Sequence, residues 1–230
     1  MNILITGANG FIGQHLVKEI KHTHKLYKLI NGHRYSLHND IITANLLNID
    51  HIRFLLQEKL NIDVVIHLAA KLCSESNSKD ISLFHENIKI YEHLTLIINH
   101  FKPKKVINFS SIAVYPNKDG EYSETSEIRP SVNHECFYGL SKFCGENILD
   151  KLCEDFSIIH LRVSQVEENE RSDRIFEVMK RELLKTNIIT VHGKGRRISG
   201  FISVNVLLKK INFFLESDLK GIYNTSEYNN

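Results

Sequence analysis

The sequence lacks the charge imbalance and the long apolar runs that would direct a protein to nucleic acid or to a membrane, and its first residues lead us to expect no signal peptide. Lys and Arg number 29 against 27 Asp and Glu, for a formal net charge of +2, which gives no indication of a nucleic-acid partner. No run of about 18 apolar residues is present to span a membrane. The first segment, MNILITGANG, reaches glycine at residue 7, too soon for the apolar part of a signal peptide. We therefore expect a cytoplasmic protein that binds neither nucleic acid nor membrane.

Metal-binding patterns are also missing from the sequence. The four cysteines show no C-x-x-C spacing, and we expect them to be reduced thiols. The 13 histidines are scattered, and they form neither an H-E-x-x-H motif nor a Cys/His cluster with ligand spacing. The sequence therefore predicts no metal site.

The 230 residues do show a regular alternation of strand-like and helix-like runs. Such alternation predicts a parallel sheet covered by helices on both faces. The usual handedness of the connections then favours an α/β fold with a Rossmann-type, doubly wound sheet. The predicted strands are 2–6, 25–31, 63–70, 105–111, 157–163, 187–191 and 221–225. The predicted helices are 10–20, 48–60, 83–100, 137–155, 175–185 and 204–215.

A glycine-rich turn, ITGANGFIG, joins the first predicted strand to the first predicted helix and spaces its glycines as G-x-x-G-x-x-G. Glycines at such a turn allow a tight bend and a close approach of the backbone, and the amino end of the helix attracts a pyrophosphate. The alternative is a turn that merely favours glycine. The strand before it and the amphipathic helix after it favour dinucleotide binding. The expected contacts come from Gly7, Asn9, Gly10, Phe11, Ile12 and Gly13.

The end of the second predicted strand bears on the choice of coenzyme. Dinucleotide folds usually place an acid there to hold the adenosine ribose, but this chain has NGHRYS, with Asn31 and Arg34 and no carboxylate. An arginine at this position suits the 2′-phosphate of NADP. The alternative is a solvated loop cation. The sequence therefore favours NADP over NAD, without excluding NAD.

Tyr138 and Lys142 stand four residues apart in YGLSKFCGE, within a predicted helix. Residues at this spacing lie on one helix face about a turn apart. They are either a chemical pair or two residues that share a face by accident. A lysine cation close to a phenol favours the phenolate, which would bring the tyrosine towards useful acid–base strength.

Together, these motifs resemble the extended short-chain dehydrogenase/reductases, also called the NAD-dependent epimerase/dehydratase family. The resemblance covers nearly the whole chain in the expected order. It rests on TGANGFIG (6–13), HLAA (67–70), ENIKI (86–90), NFSSIAVYP (108–116), YGLSK (138–142) and VHGKGRRISGFISVNV (191–206) followed by GIYNTS.

The resemblance implies a role for each catalytic candidate. Tyr138 would transfer a proton, and Lys142 would lower its pKa and hydrogen-bond the nicotinamide ribose. Ser111, four residues before Tyr115, would hold the substrate oxygen, whereas Ser110 should point to the opposite face of its strand. Two further implications concern HLAA: His67 would be structural, and Leu68, Ala69 and Ala70 would line the coenzyme.

The chain departs from the family pattern in three places. Pro116 stands where the family has a glycine, and LRVSQVEENE (161–170) keeps Arg162 but lacks the usual proline and YGP. The sequence stops soon after GIYNTS, where relatives continue, so we expect a small, reduced C-terminal substrate-binding part. Among Lys194, Arg196 and Arg197, the last best fits the family's phosphate-binding arginine. A solvated basic loop is the alternative.

The resemblance implies an enzyme that acts on a nucleotide-linked sugar, with a dinucleotide-binding domain over 1–165 and a short substrate-binding region over 166–230 interwoven with it. The first hypothesis is a reductase of a sugar keto group at C4, which the position of Arg34 favours. The second is a nucleotide-sugar 4-epimerase that keeps NAD bound. The third is a coenzyme-binding module without turnover. A homodimer is a further possibility.

Overall fold

The computed structural model describes residues 1–167, 175–191 and 200–227 of the chain. The strands are β1 (Asn2–Thr6), β2 (Lys25–Ile30), β3 (Ser36–His38), β4 (Ile41–Thr43), β5 (Val64–His67), β6 (Lys105–Ser111), β7 (Ser157–Val163), β8 (Gln165–Glu167), β9 (Phe201–Ser203) and β10 (Gly221–Thr225). The helices are α1 (Phe11–Ile20), α2 (Ile49–Leu55), α3 (Ser82–Phe101), α4 (Cys136–Leu152), α5 (Ile175–Thr186) and α6 (Val204–Glu216).

An eight-stranded sheet in the order β10-β7-β6-β5-β1-β2-β4-β3 forms the centre of the fold. Every neighbouring pair in it is parallel except β3 with β4. The central strands are buried along most of their length, as expected for a parallel sheet with two covered faces. The prediction of a Rossmann-type doubly wound sheet is therefore confirmed.

Alternate residues of each central strand pack into two separate hydrophobic layers. Ile3 and Ile5 of β1 face the layer formed with α1 and α6. Leu4 faces the layer formed with α2, α3 and α4. Because the chain switches faces between β1 and β5, the carboxyl ends of these two strands border the crevice in which such folds bind ligands.

The connection from β2 to β4 contains a short hairpin that the sequence pattern did not predict. Strand β3 pairs antiparallel with β4 at the edge of the sheet. Asn39 and Asp40 form the turn with φ values of 50° and 60°, a left-handed conformation that these two residue types tolerate better than most. The hairpin replaces the crossover helix that usually joins parallel strands.

The C-terminal part contributes to both sheets. Strands β8 and β9 form a separate two-stranded sheet, whereas β10 pairs with β7 at the edge of the main sheet.

The predicted strand at 187–191 is wrong. Residues 188–191 have no regular structure and are exposed, and Asn187 has a φ of 56°. None of the strands within the described ranges pairs with this segment. Within the described residues, none of the helices has the length and apolar character needed to cross a membrane.

Candidate active site

The glycine turn after β1 lies against the segment that follows β5. Gly7 has a φ of 71°, in the left-handed region where glycine carries no steric cost. A Cβ added to Gly7 would lie 2.9 Å from the amide nitrogen of Ala69. Leu68 and Ala70 flank this contact and, like Ala69, are half-buried. Two predicted coenzyme-binding segments therefore meet at the carboxyl ends of the central strands β1 and β5.

The start of α1 is crowded at Gly13 and open at Gly10. A Cβ at Gly13 would lie 2.3 Å from the carbonyl oxygen of Gly7, whereas at Gly10 its one contact would be with that same oxygen at 3.2 Å. Asn9 and Gly10 are exposed, and the first turn of α1 carries no acidic residue. The positive end of the helix dipole thus faces a space that a side chain would fill, and this fits a pyrophosphate. The other predicted members of the turn, Phe11 and Ile12, are the first residues of α1.

Asn87 of α3 fixes the backbone just beyond Ala70. Its Oδ1 accepts a hydrogen bond from the backbone N–H of Lys71 at 2.8 Å, and its Nδ2 donates to the carbonyl oxygen of Lys71 at 3.0 Å. Asn87 is buried. The segment opposite the glycine turn is therefore held at a defined distance from α3.

Helix α4 brings Tyr138 and Lys142 together as their spacing predicted. Nζ of Lys142 lies 5.6 Å from the ring centroid of Tyr138 and donates a hydrogen bond to the carbonyl oxygen of Phe109 at 2.7 Å. The side chain of Lys142 is buried. Its ammonium is therefore held at the end of β6 and directly beside the phenol ring.

Burial acts on both members of this pair in the direction that favours their neutral forms. It lowers the pKa of Lys142 to about 8, against the opposing effect of the Glu146 carboxylate. It also raises the pKa of Tyr138, with a smaller contribution in the same direction from Glu135. At neutral pH Lys142 is therefore mostly charged and Tyr138 keeps its phenolic proton, so the pKa of the tyrosine moves in the opposite direction to the lowering expected from its lysine neighbour.

Ser111 lies at the end of β6, next to the start of α4. Its Oγ accepts a hydrogen bond from the backbone N–H of Ala113 at 3.1 Å, capping a short 3₁₀ turn. Helix α4 packs tightly on this turn, because a Cβ at Gly139 would lie 2.1 Å from the carbonyl oxygen of Ala113. Since Gly139 follows Tyr138 directly, Ser111 and Tyr138 both lie near the contact between α4 and the turn that follows β6.

Ser110 is buried and faces α4, where its hydroxyl joins the ion pair of Glu146 and Arg162. Its hydroxyl donates to Oε1 of Glu146, which also accepts from Nε of Arg162 at 3.0 Å. Another nitrogen of the Arg162 guanidinium, Nη1, donates to the hydroxyl of Tyr115 at 2.8 Å. Sequence reasoning missed Glu146, although its position four residues after Lys142 places it on the same helix face.

His67 is fully buried beneath the site, in agreement with a structural role. Its Nδ1 lies 2.7 Å from Oγ1 of Thr6, which also accepts from the backbone N–H of Ala69 at 3.3 Å. Burial, and then the charge of Lys142, hold the pKa of His67 well below its usual range. The imidazole of His67 is therefore neutral, and it shares one hydrogen bond with the Thr6 hydroxyl at the end of β1.

Of the two predicted arginine contacts, Arg34 alone is among the residues that the structure describes. Arg34 follows β2 and is exposed. Gly32, just before it, packs so closely on β4 that a Cβ would lie 2.2 Å from Cγ2 of Thr43. Arg197 lies outside the described residues, as do Lys194 and Arg196. Within the described ranges, no three His, Cys, Asp or Glu side chains are grouped to hold a metal ion.

Comparison with known proteins gives relatives along almost the entire chain. The uncharacterized UDP-glucose epimerase YtcB of Bacillus subtilis is 27% identical over 239 residues, with 92% of this chain and 71% of the relative covered. The dTDP-D-glucose 4,6-dehydratase of Dictyostelium discoideum is 25% identical, with 96% of this chain and 57% of the relative covered.

A solved structure shows the same fold. It is UDP-glucuronic acid 4-epimerase from Bacillus cereus in complex with UDP-glucuronic acid and NAD, with a TM-score of 0.81 and 25% identity. The match covers 100% of this chain and 78% of that one. The chain therefore spans most, but not all, of the length of this structural neighbour.

The family model described as the NAD dependent epimerase/dehydratase family matches residues 3–225. This match includes the glycine turn and the Tyr138–Lys142 helix, on which the predicted resemblance depended. The prediction of an enzyme of the extended short-chain dehydrogenase/reductase type is confirmed at the level of the family: the chain is a member of the NAD-dependent epimerase/dehydratase family.

Proposed function

We propose that this protein is an NAD-dependent nucleotide-sugar 4-epimerase. The observation that carries the proposal is the buried ammonium of Lys142, 5.6 Å from the ring centroid of Tyr138, at the sheet edge that also carries the glycine turn. Relatives named as UDP-glucose epimerases from several organisms support epimerisation over reduction. The bound ligands named for the Bacillus cereus enzyme support NAD and a uridine-diphosphate sugar.

Tyr138 would exchange a proton with the C4 oxygen of the sugar. As the C4 hydroxyl is oxidised, the phenolate takes up its proton, and as the keto group is reduced again the phenol returns one to the oxygen. NAD held at the glycine turn would supply the hydride acceptor and donor for C4, so that the sugar undergoes no net oxidation. The tyrosine must therefore act as a base and then as an acid within one turnover.

Lys142 supplies the charge that this cycle requires. Because burial raises the pKa of Tyr138, the phenolate needs a nearby cation to form at neutral pH. Lys142, with a pKa of about 8, is mostly protonated under these conditions. Its bond to the carbonyl oxygen of Phe109 at 2.7 Å keeps the ammonium beside the ring throughout the cycle.

Ser111 would hold the substrate oxygen between proton transfers. Its side chain sits at the carboxyl end of β6, beside the turn against which Gly139 packs. A hydroxyl can donate to the C4 oxygen while still accepting from the backbone N–H of Ala113. This would orient C4 without adding a further charge to the site.

Reduction of a 4-keto sugar is the second candidate, and Arg34 favours it. This exposed arginine follows β2, where a 2′-phosphate of NADP would be recognised. Reductases release their oxidised coenzyme after each turnover, whereas an epimerase can keep one coenzyme bound. The choice between the two functions therefore depends on whether the coenzyme is consumed.

The deciding experiment follows both sugar and coenzyme. The purified protein is incubated with NAD and, separately, UDP-glucose, UDP-glucuronic acid and UDP-N-acetylglucosamine, and sugar configuration is read by proton NMR while NADH absorbance is recorded. We expect interconversion of C4 epimers with no net change in coenzyme. Stoichiometric loss of NADPH with a nucleotide-linked 4-keto-6-deoxy sugar would support the reductase instead. Tight coenzyme binding without turnover of any of these sugars would support the binding module.

Tyr138→Phe is the matched variant, because it keeps the ring and removes the proton donor. General acid–base groups contribute about 10²–10⁴-fold in rate, so turnover should fall by that factor while coenzyme binding persists. Tyr35→Phe is the control, since the Tyr35 hydroxyl bonds Glu58 far along the sheet from α4. An unchanged rate in Tyr138→Phe would contradict the assigned role.

A further inference from the structure

A row of polar side chains crosses the centre of the sheet at one level. Thr6, His67, Asn108 and His160 are partners in register on β1, β5, β6 and β7. All four are at most 1% exposed. Because partners in register point to the same face of a sheet, the row lies beneath the helices that carry Asn87 and the Tyr138–Lys142 pair.

The hydrogen bonds of this row determine which side-chain atoms of Asn108 and His160 donate and which accept. Nδ2 of Asn108 lies 2.9 Å from Nδ1 of His160, and Nε2 of His160 lies 2.9 Å from Oδ1 of Asp150. An amide nitrogen only donates, so Nδ1 of His160 accepts and its Nε2 carries the proton given to the carboxylate. Asn108 is thereby locked with its amide oxygen pointing the other way.

That amide oxygen accepts a hydrogen bond from Tyr91, a residue of α3. The Tyr91 hydroxyl donates to Oδ1 of Asn108 at 3.2 Å. A hydroxyl has one proton and two lone pairs, so the remaining side of the Tyr91 oxygen can only accept. Nζ of Lys142 points at that side, 3.4 Å away, and also lies 5.6 Å from the centroid of the Tyr91 ring.

The chain leaves room for Tyr91 at one position of α4. A Cβ added to Gly145 would lie 2.1 Å from Cε2 of Tyr91, so the ring occupies the space that any other residue at 145 would need. Tyr91 is 1% exposed, and burial raises its pKa, which keeps its hydroxyl protonated. The ring and its oxygen are therefore fixed relative to Lys142.

We propose that Tyr91 is a positioning residue for Lys142, with its hydroxyl held by Asn108 and His160 as a permanent acceptor for the ammonium beneath Tyr138. The proposal rests on the role given to Lys142 in the proposed function. It adds that Lys142 has two acceptors of its own within the protein, the carbonyl oxygen of Phe109 and the Tyr91 hydroxyl. Without the second, the ammonium would be less stable and less well placed.

The groups that face Lys142 come from every element packed around it. Tyr138 and Glu146 are on its own helix, Tyr91 is on α3, and the neutral His67 is on β5. Strand β6 contributes a backbone carbonyl. Of these groups, only the carboxylate of Glu146 carries a charge that favours the ammonium. Loss of the Tyr91 acceptor should therefore lower the pKa of Lys142.

The test measures the ionisation of Lys142 itself, in protein without coenzyme. Protein with ¹³C-labelled lysine is titrated by NMR, and the signal of Lys142 is assigned by its loss in Lys142→Met. Tyr91→Phe keeps the ring beside Gly145 and removes the acceptor. Since hydrogen bonds to charged groups are the stronger ones, the titration midpoint should fall by about one pH unit from its wild-type position near pH 8.

Two further variants make the result decisive. Tyr27→Phe removes a hydroxyl from a buried tyrosine in the same hydrophobic layer and should leave the midpoint unchanged. Asn108→Ala keeps the Tyr91 hydroxyl but frees it to rotate, so it should lower the midpoint by a smaller amount, and it decides the matter if Tyr91→Phe does not fold. An unchanged midpoint in the folded variants would overturn the proposal. Because no sugar or coenzyme enters this titration, its outcome is independent of whether the protein epimerises a sugar.

Discussion

The carboxylate of Glu146 and the guanidinium of Arg162 form a two-bond ion pair with N–O distances of 3.0 and 2.7 Å, and each side chain is 2% exposed. Removing one member of a buried pair leaves the other charge uncompensated. Arg162→Met should therefore lower the free energy of unfolding by about 3–5 kcal/mol.

The control for this variant is an exposed ion pair. Lys89 and Glu92 on α3 are 3.0 Å apart, with side chains 50% and 52% exposed. Lys89→Ala should cost no more than about 1 kcal/mol. Urea unfolding followed by circular dichroism measures both, and equal effects would mean that the buried pair has no special weight.

Gly10→Val should abolish coenzyme binding with little loss of stability. The branched side chain would enter the space at the amino end of α1, where an added Cβ meets only the carbonyl oxygen of Gly7, at 3.2 Å. Calorimetric titration with NAD measures the binding. Gly13→Val is the companion variant and should unfold the protein readily, since its Cβ would lie 2.3 Å from that oxygen. Unchanged affinity in Gly10→Val would show that the turn does not hold a pyrophosphate.

Arg34→Ala tests the choice between NADP and NAD. A bidentate contact between arginine and phosphate is charge-assisted and selective. If Arg34 holds a 2′-phosphate, its loss should weaken NADPH binding much more than NADH binding. Arg53→Ala removes another exposed arginine, paired with Asp50 on α2, and should affect neither. A native preference for NADH, or equal losses, would identify Arg34 as a loop cation.

The pH dependence of stability should carry the signature of Lys142. Its pKa falls from 10.5 in the unfolded chain to about 8 in the folded protein. Between these values the unfolded chain binds more protons, so this group makes the free energy of unfolding rise with pH, by about 3 kcal/mol over the full window. Lys142→Met removes that contribution.

The measurement is a series of urea unfolding curves for wild type and Lys142→Met between about pH 7 and pH 10, where tyrosine ionisation begins to contribute. The difference in free energy of unfolding should shift in favour of wild type as the pH rises through 8. A constant difference across the series would mean that the folded protein does not depress the pKa of this lysine.

The parts of the site that the sequence predicted are those encoded within a single element. Tyr138 and Lys142 meet because a helix places residues four apart on one face. The glycine turn was predictable since Gly7 and Gly13 are required by the close packing of the strand, the turn and the helix start. Both patterns are visible without knowledge of any tertiary contact.

The errors have a different origin. Residues 187–191 have the β-branched, apolar composition of a strand, but none of the strands in the described part of the chain pairs with them, and a strand is stable only with a partner. The β3–β4 hairpin was missed because its strands have three residues each, too few to show an alternating pattern.

The support beneath Lys142 could not be predicted from the sequence either. Tyr91, Asn108 and His160 belong to three different elements, and they meet because of strand register and of the space left at Gly145. One local signal was present, since Tyr91 follows Asn87 by four residues and so shares its helix face. That signal predicts that Asn87 and Tyr91 share a face of α3, but it does not predict that this face contacts Lys142.

Helix α4 carries Tyr138, Lys142 and Glu146 at intervals of four residues, on the face where Gly139 and Gly145 also make their close contacts. A substitution on this face would therefore affect both the proposed catalytic groups and the stability of the fold. Few substitutions should be tolerated there during evolution. For the proposed epimerase, new sugar preferences would have to arise in segments that leave this face untouched. The connection at 116–135, largely exposed between β6 and α4, is one place where the protein could acquire a different substrate without losing its chemistry.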